Sequence, residues 1–478
     1  MKNHKSYCPI YGAFVALLLL LGAAPDEKLN VLFIAVDDLK PALGCYGDAL
    51  AKTPNLDALA ARGTAFTRAY CQQAVCSPSR SSLLTGRRPD TTKVWDLETH
   101  FRTALPDVVT LPQHFKAHGW HTQAFGKIYH GGYDDKPSWS VPTTTPKKPN
   151  VGPEGQALVK RLKEERPNDD KIRGLPFEAP DVDDASLADG SIADQAIDAL
   201  RGLKDKPFFL AVGFLRPHLP FVAPKKYWDL WKPADFALPE GTSIDGAPKW
   251  APQAGGELRQ YHDVPKSGDL PDALRRNLLH GYYAATAYMD AQLGRVMKEL
   301  DALGLREKTV VVVWGDHGWH LGDHGMWCKH TNYEQATRAP LIVAAPRYKS
   351  NGLICNSLVE FVDVYPTLAE LAGLPLPEGL EGTSFAPLLD DAKKPWKKAA
   401  FSQYPRGIPG TGRCMGYSMR TERWRFVAWE AKAVAEYELY DLEKDPGETV
   451  NLAKKPEHAE LVKTLTAQLK AGWKEAKP

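Results

Sequence analysis

Two acidic clusters in the sequence could hold a metal ion. Asp37 and Asp38 directly follow the apolar run 31–36, and Asp316 and His317 follow the apolar run 310–314 and a glycine. Adjacent carboxylates repel one another unless a cation neutralises them. Three carboxylates and one histidine suit a hard, oxygen-preferring cation, although histidine is the unusual member of that set. The alternative interpretation is a pair of independent solvated turns, the first with a helix cap.

A third cluster, Cys76-Ser77-Pro78-Ser79-Arg80, combines a thiol with an arginine, and Leu84-Thr85-Gly86-Arg87 follows it. Pro78 suits the first turn of a helix, where its missing N–H costs nothing. Cys76 would then lie at a helix N-terminus, whose dipole favours negative charge. The cysteine is therefore either a thiolate nucleophile or an ordinary buried residue before a capped helix.

The apolar runs must position these clusters. The runs at 31–36, 208–214, 310–314 and 341–345 are typical of buried parallel strands. Helical patterns lie between them, at 53–62, 193–203 and 277–303. This alternation predicts an α/β fold with a mainly parallel sheet, in which ligand sites lie at the carboxyl ends of strands. Both acidic clusters are therefore expected at one edge of the sheet.

The remaining chain suggests an excursion and a small C-terminal subdomain. Residues 140–184 are rich in Pro, Lys, Asp and Glu, which predicts a surface segment that could form a wall of the substrate pocket. A break is expected from Tyr404 to Gly410, followed by short antiparallel strands at 415–420, 424–429 and 437–442 and a closing helix at 459–473. We therefore divide the chain into a catalytic domain, 25–410, and a subdomain, 411–478.

The N-terminus predicts export. Residues 1–24 contain a basic start, an apolar run and small residues, which is the pattern of a signal peptide, and the run is too short to span a bilayer. The formal net charge of the whole chain is +2. A nearly neutral protein gives no reason to expect nucleic acid or an anionic membrane as a partner. We expect no stable membrane insertion, because the rest of the sequence lacks an apolar run long enough to cross a bilayer. We expect a secreted or periplasmic protein.

The cysteines and the remaining histidines do not predict a zinc site. Seven cysteines occur without a C-x-x-C pair, so a zinc ribbon or a thioredoxin-like motif is excluded, and disulfide pairing stays open. His320 and His324 lie in a glycine-rich stretch that lacks the H-E-x-x-H spacing. We expect neither histidine to be a metal ligand.

The third cluster resembles the C-x-P-S-R…L-T-G-R signature of the formylglycine-dependent sulfatase family. Further strings resemble the iduronate-2-sulfatase branch of that family over nearly the whole mature length: Asp37-Asp38-Leu39, Gly86-Arg87-Arg88-Pro89-Asp90-Thr91-Thr92, Gly126-Lys127-Ile128-Tyr129-His130, Arg216-Pro217-His218-Leu219-Pro220-Phe221, Gly315-Asp316-His317-Gly318-Trp319, Gln403-Tyr404-Pro405-Arg406 and Met415-Gly416-Tyr417-Ser418. The resemblance implies an alkaline-phosphatase-like sulfatase fold, with a large mixed, mostly parallel sheet, and a C-terminal antiparallel sheet with a helix.

The resemblance also implies cofactors and roles. A separate maturation enzyme would oxidise Cys76 to formylglycine, whose hydrate attacks sulfur. Calcium would be bound by Asp37, Asp38, Asp316 and His317, the last of which is Asn in many other sulfatases. The resemblance assigns five further residues to the reaction: Arg80 would hold the nucleophile, Lys127 would bind sulfate, His130 would take a proton, and His218 and Lys329 would bind sulfate and assist the leaving oxygen. Trp319 would either line a sugar subsite or cap the end of the strand.

The implied substrate is a sulfated oligosaccharide or polysaccharide, such as a glycosaminoglycan, with exo-acting removal of a 2-O-sulfate from a uronic acid as the first expectation. Two rivals remain open. One is a phosphomonoesterase or phosphodiesterase of the alkaline phosphatase group, which would use Ser or Thr with two zinc ions. The other is a non-catalytic glycan-binding homologue, which would be expected to have lost some of the reactive residues, whereas Cys76, Arg80, Lys127, His130 and Lys329 are all present.

Overall fold

A computed structural model describes residue 1 and residues 28–478, apart from 170, 242, 350, 409, 432 and 433. The strands are β1 (Asn30–Val36), β2 (Thr64–Phe66), β3 (Ala69–Tyr70), β4 (His121–Gly126), β5 (Phe177–Glu178), β6 (Phe208–Phe214), β7 (Phe221–Val222), β8 (Thr309–Gly315), β9 (His320–Leu321), β10 (Trp327–Cys328), β11 (Leu341–Ala344), β12 (Leu353–Cys355), β13 (Val359–Glu360), β14 (Ala400–Ile408), β15 (Gly412–Arg420), β16 (Trp424–Ala431) and β17 (Val434–Asp441). The helices are α1 (Pro54–Ala60), α2 (Cys76–Thr85), α3 (Pro89–Thr92), α4 (Leu111–Ala117), α5 (Pro153–Glu165), α6 (Ala188–Leu203), α7 (Lys225–Trp228), α8 (Asp272–Ala302), α9 (Glu334–Thr337), α10 (Val364–Leu371), α11 (Ala386–Asp390) and α12 (Ala459–Ala471).

A seven-stranded sheet forms the centre of the larger part, in the order β12-β2-β11-β8-β1-β6-β4. Strand β1 pairs in parallel with both β6 and β8, and β4 continues the parallel set beyond β6. The predicted α/β fold with a mixed, mostly parallel sheet is therefore confirmed.

Strand β11 is the exception, because it runs antiparallel to both β8 and β2. The sequence predicted a parallel strand at residues 341–345, and that orientation is wrong. An apolar run reports burial on both faces and carries no information on chain direction.

Helices cover both faces of this sheet. Alternate residues of β1 enter two separate apolar clusters: Val31, Phe33 and Ala35 face one, and Leu32, Ile34 and Val36 face the other. Residues of α2, α4 and α10 complete the first cluster, and residues of α1, α6 and α8 complete the second. Full burial of one aliphatic side chain contributes about 1.5–3 kcal/mol, so two covered faces hold β1 at the centre.

The C-terminal part is a four-stranded antiparallel sheet, β14-β15-β16-β17, with α12 against one face. The expected antiparallel strands and closing helix are present. The structure has a strand where most of the break at residues 404–410 was expected, because residues 400–408 form β14 and pair with β15. Pro405 and Gly407 were poor indicators there, since Pro is tolerated in an edge strand and β14 lies at the edge of the sheet. The proposed boundary at 410/411 falls in the hairpin between β14 and β15.

Two other expectations concern the first half of the chain. Residues 2–24 of the expected signal peptide lie outside the described residues. The surface segment at 140–184 includes α5 and β5, and it supplies residues 143–146 and Arg173 to the wall of the site cavity described below. Among the described residues, helices long and apolar enough to cross a membrane are absent.

Candidate active site

The carboxyl ends of four neighbouring strands meet at one edge of the large sheet. Asp37 follows β1, Lys127 follows β4 and Asp316 follows β8, while His218 lies four residues beyond β6. Backbone bonds hold the ends in register, because the Asp37 N–H donates to Phe214 O at 3.2 Å and the Asp316 N–H to Val36 O at 3.2 Å. The sheet thus brings together clusters that are hundreds of residues apart in sequence.

The two acidic clusters form one buried group. Ligand atoms of Asp37, Asp38 and Asp316 all lie within 4.8 Å of one another. Nε2 of His317 lies 3.3 Å from Asp38 Oδ1 and 3.5 Å from Asp316 Oδ1. All four residues are buried. The expectation of a shared site, rather than two independent solvated turns, therefore agrees with the geometry.

This group fits a divalent cation. Burial and the neighbouring Asp37 carboxylate raise the pKa of Asp38 to about 7, although Lys329 opposes this rise. A bound cation would remove the cost of a buried ionised carboxylate, because it favours the charged form. Carboxylate oxygens are the ligands that calcium prefers. His320 and His324 lie outside the cluster, since the first hydrogen-bonds to Thr331 Oγ1 at 2.8 Å and the second contacts Gly447 O at 2.5 Å.

Cys76 lies beside the acidic group as the first residue of α2. Its Sγ is 3.5 Å from both Asp37 Oδ1 and His317 Nε2. Pro78 lies in the first turn of this helix, as predicted. Burial, reinforced by Asp37, raises the pKa of the Cys76 thiol well above its usual value. Without a bound cation, the unmodified residue is therefore a neutral thiol.

Arg80 connects the nucleophile helix to the acidic group. Its Nε donates to Asp316 Oδ2 at 2.9 Å and its Nη2 donates to Asp37 Oδ1 at 3.2 Å. Its Nη1 donates to the carbonyls of Lys127 and Ile128 at 2.5 and 3.0 Å. The guanidinium is fully buried, so it fixes the positions of three strand ends at once.

Lys127 and His130 occupy the β4 side of the site. Lys127 Nζ donates to Asp37 Oδ2 at 2.6 Å. Burial and the Lys127 ammonium together lower the pKa of His130 to about 4. Nδ1 of His130 is buried and has no hydrogen-bond partner among the described residues. A neutral imidazole with a free nitrogen can accept a proton at neutral pH.

Lys329 and His218 are joined by a residue that the sequence did not reveal. Lys329 Nζ lies 3.0 Å from Asp38 Oδ1 and 2.9 Å from Glu257 Oε2. His218 Nε2 lies 3.2 Å from Glu257 Oε1. Glu257 thus bridges Lys329 and His218, but it lies in a loop without a recognisable motif. A local signal that could have identified it is absent from the sequence.

These contacts set opposite protonation states. Although burial opposes ionisation, Asp38 and Glu257 raise the pKa of Lys329 well above its usual value, so this side chain keeps its proton. Burial and Lys329 together lower the pKa of His218 to about 4, so the imidazole is neutral near pH 7. Lys329 is consequently the better proton donor of the two.

Trp319 lies away from the cavity wall. Its side chain is 1% exposed and packs in the apolar cluster around Phe221. Lys329 Nζ lies 4.9 Å from the centre of its ring. The sugar subsite predicted for Trp319 is therefore not what the structure shows. The indole lies between Lys329 and the apolar cluster, directly before β9 in the chain.

A cavity of about 830 Å³ opens above these residues. Cys76, Lys127, His130, His218 and Lys329 line it, together with Glu257, His330 and Tyr404. The site contains four carboxylates, those of the acidic group and Glu257, against the three cations of Arg80, Lys127 and Lys329. A divalent cation would make this group net positive. An arrangement of this kind at the carboxyl edge of an α/β sheet defines a hydrolase that handles an anionic ester.

Comparisons with known proteins agree with that class. The family model named Sulfatase matches residues 29–374, and the model named N-sulphoglucosamine sulphohydrolase, C-terminal, matches residues 322–475. Iduronate 2-sulfatase of Homo sapiens is 34% identical, covering 92% of this chain and 94% of that protein. The chain belongs to the sulfatase family and is a hydrolase of sulfate esters.

Solved structures share the fold. The structure of BT4656 with its substrate D-glucosamine-2-N,6-O-disulfate has a TM-score of 0.76 at 22% identity, covering 94% of this chain and 98% of that one. The phosphonate monoester hydrolase of Agrobacterium radiobacter has a TM-score of 0.72 at 24% identity, covering 93% and 95%. The same fold therefore carries hydrolases of different anionic esters.

Proposed function

We propose that this protein is an exported sulfatase that removes a sulfate ester from a sulfated glycan, with formylglycine made from Cys76 and a bound calcium ion. The observation that carries the proposal is the position of Cys76 Sγ, 3.5 Å from Asp37 Oδ1 and from His317 Nε2, in a cavity lined by lysines and histidines. A nucleophile at residue 76 would thus meet a sulfuryl group among cationic side chains.

The modified residue and the cation would supply the nucleophile. When both are present, the hydrated aldehyde offers a hydroxyl whose ionisation the cation favours. Asp37, Asp38, Asp316 and His317 would hold the cation. Serine at residue 76 would lack the second hydroxyl that lets the aldehyde be regenerated.

The chain's own cations would bind the sulfuryl oxygens. A sulfate ester repels an incoming nucleophile, so its charge must be neutralised before attack. Lys127 and Lys329 both line the cavity together with residue 76. Arg80 lies behind them and keeps residue 76 and the strand ends in place through the bonds described above.

Two residues would move the protons. Lys329 keeps its proton because Asp38 and Glu257 raise its pKa, so it can protonate the departing alcohol oxygen. His130 is neutral and lines the same cavity as residue 76, so it would take a proton from residue 76 when sulfate is released. Neutral His218 would bind a sulfuryl oxygen or the leaving oxygen.

We further propose that the substrate carries the sulfate at the 2-O position of a terminal uronic acid. The similarity to iduronate 2-sulfatase over nearly the whole chain supports this choice. Tyr404 and Arg173, which lie on the cavity wall, are placed to contact the sugar. Secretion to the exterior or the periplasm remains proposed from residues 1–24.

Defined sulfated disaccharides and an aryl phosphonate, assayed side by side, test the reaction. We expect release of sulfate from the 2-O-sulfated uronate, loss of activity in Cys76→Ala, and loss after calcium is chelated with recovery on its return. Hydrolysis of the phosphonate but of no sulfate ester would contradict the proposal.

Mass spectrometry of the peptide around residue 76 tests the modification. Active enzyme should carry CHO, or its hydrate, in place of CH2SH, after maturation by an enzyme encoded elsewhere. A fully active preparation that retains the thiol would exclude formylglycine.

A further inference from the structure

A second, open groove lies beside the site cavity. Its volume is about 1090 Å³, and Arg173 and Gln260 line both the groove and the cavity. The groove runs between the end of α5 and the loop that follows Glu257, and it includes Lys171, Arg259 and Lys266. A ligand with one end at residue 76 can therefore leave the cavity past Arg173 into this groove.

The groove carries more cations than acids. Glu165 Oε1 lies 3.7 Å from Arg161 Nε, and Asp169 Oδ2 lies 3.3 Å from Arg166 Nη1. Asp263 is exposed beside His262, whose imidazole carries no permanent charge, so this acid offsets one cation of the groove. Three acids lie among five lysines and arginines of the described lining, which leaves an excess of positive charge.

Four cations of the groove lack a carboxylate partner among the described residues: Lys171, Arg173, Arg259 and Lys266. Carbonyl groups orient two of them. Arg259 donates to the carbonyls of Ala254, Pro265 and Gly268 at 2.7, 2.7 and 2.6 Å, and Lys266 Nζ donates to the carbonyl of Arg259 at 2.6 Å. Neutral acceptors hold these side chains without cancelling their charge, so the groove keeps a local excess of positive charge.

We propose that this groove binds further anionic sugar residues of an oligosaccharide whose terminal sulfate ester lies at residue 76. The inference rests on the proposed function and extends it, because it assigns a binding site to the part of the substrate that does not react. The whole chain is nearly neutral, with a formal charge of +2, so attraction for a polyanion must come from a local site such as this one. Sulfate and carboxylate groups on successive sugars match a row of cations.

The test compares substrates of increasing length. The probes are a 2-O-sulfated uronate disaccharide and the corresponding tetrasaccharide and hexasaccharide, each with the same terminal residue. In the wild-type enzyme we expect kcat/KM to rise with length, mainly through KM, and the rise to shrink with added salt. Exposed charge contacts contribute about two- to fivefold each, so the hexasaccharide should exceed the disaccharide by about tenfold.

Two double variants separate the groove from a general charge effect. Lys171→Ala/Lys266→Ala removes two groove cations, and Lys204→Ala/Lys298→Ala removes two exposed lysines near the opposite edge of the sheet. The first should reduce the ratio of hexasaccharide to disaccharide kcat/KM, whereas the second should preserve it. The affinity of the hexasaccharide for Cys76→Ala enzyme that also carries one or the other double substitution measures the same effect without turnover.

The outcomes distinguish the two proposals. If all three probes are desulfated with equal kcat/KM, the groove does not bind the longer substrates. The same conclusion follows if both double variants have the same ratio of hexasaccharide to disaccharide kcat/KM. Either result contradicts the binding site proposed in the groove and leaves the proposed function standing. Failure to desulfate any probe would overturn the proposed function and this inference with it.

Discussion

Glu257 is the residue whose contacts most constrain the site outside the motifs. Its two oxygens face His218 Nε2 at 3.2 Å and Lys329 Nζ at 2.9 Å. Burial opposes its ionisation, but Lys329 and His218 hold its pKa below the usual range. A carboxylate here keeps Lys329 protonated while adding negative charge near a site for an anion.

Glu257→Gln should therefore separate turnover from binding. The amide removes one negative charge and supplies one acceptor in place of two, so Lys329 is less well positioned as a proton donor. We expect kcat to fall by about tenfold to a hundredfold and inhibition by inorganic sulfate to become stronger. Steady-state kinetics with and without sulfate measure both effects.

Glu154→Gln on the exposed start of α5 is a control. An unchanged kcat in the Glu257 variant would remove this side chain from the mechanism. A fall in kcat together with weaker sulfate inhibition would instead indicate a general disturbance of the cavity.

At the scale of elements, the site depends on how closely the strand ends approach one another. Gly126 closes β4 with φ of +72°, and a Cβ there would lie 2.1 Å from Gly213 O. Lys127 is the next residue, and its N–H donates to Gly213 O at 2.9 Å. Glycine at residue 126 thus lets β4 deliver Lys127 beside β6.

Gly126→Ala should damage both stability and activity. The added methyl group meets backbone atoms, and alanine disfavours positive φ, so we expect a loss of about 1–3 kcal/mol in the free energy of unfolding. Urea denaturation and kcat together measure the change. Gly202→Ala, near the exposed end of α6 with open space around the Cβ, should instead be neutral or slightly stabilising. Equal stability of the two variants would contradict this account of β4.

Across the whole molecule, a buried ionic network connects the C-terminal sheet to the large domain. Arg425 of β16 pairs with Glu334 of α9, its Nε lies 2.9 Å from Glu448 Oε1, and its Nη1 donates to Asn332 O at 3.0 Å. The guanidinium is 1% exposed. Removal of Arg425 would leave Glu334 with Arg420, 3.4 Å away, but would take from Glu448 the cation beside it, and breaking a buried pair costs more than the pair itself contributes.

Arg425→Met should lower the free energy of unfolding by about 3–5 kcal/mol, because Glu334 and Glu448 lose their shared cation. Adding Glu334→Gln should recover part of that loss. Arg423→Met is the matched control, since Arg423 pairs with Asp441 at a half-exposed position two residues away and its loss should have little effect. Equal losses in the two single variants, measured in urea, would show that burial of the network is unimportant.

Buried histidines should make the whole protein sensitive to acid. Burial lowers the pKa of His320 to about 3, below its value of about 6.5 in an unfolded chain. The unfolded chain therefore binds a proton that the native state does not bind, as pH falls from about 6.5 towards 3. The contribution of neutral His320 to the free energy of unfolding is complete above about pH 6.5 and is lost progressively as the pH falls below that value.

His320→Gln should consequently be less sensitive to acid than the wild type. We expect the difference in the free energy of unfolding between wild type and variant to shrink from pH 7.5 to pH 4.5. Urea denaturation at several pH values measures it, with His458→Gln at a partly exposed position as control. A difference that is independent of pH would show that His320 does not contribute.

The sequence alone was sufficient for the motifs and for the elements that carry them. Apolar runs identified β1, β6 and β8, because strands buried on both faces must be apolar throughout. The acids after β1 and β8, together with the Cys76 signature, predicted one site, since parallel strands end at one edge of their sheet. The roles of these residues remain predictions, whereas their proximity is a structural fact.

Tertiary structure decided everything that depends on which segments meet. The direction of β11, the strand at residues 400–408 and the burial of Trp319 follow from packing partners that a local pattern does not contain. Glu257 belongs to the site only because its loop lies against Lys329, and the cationic groove exists only because α5 lies beside the loop at 259–266. Such contacts join residues far apart in sequence, so their charges and distances are properties of the folded chain alone.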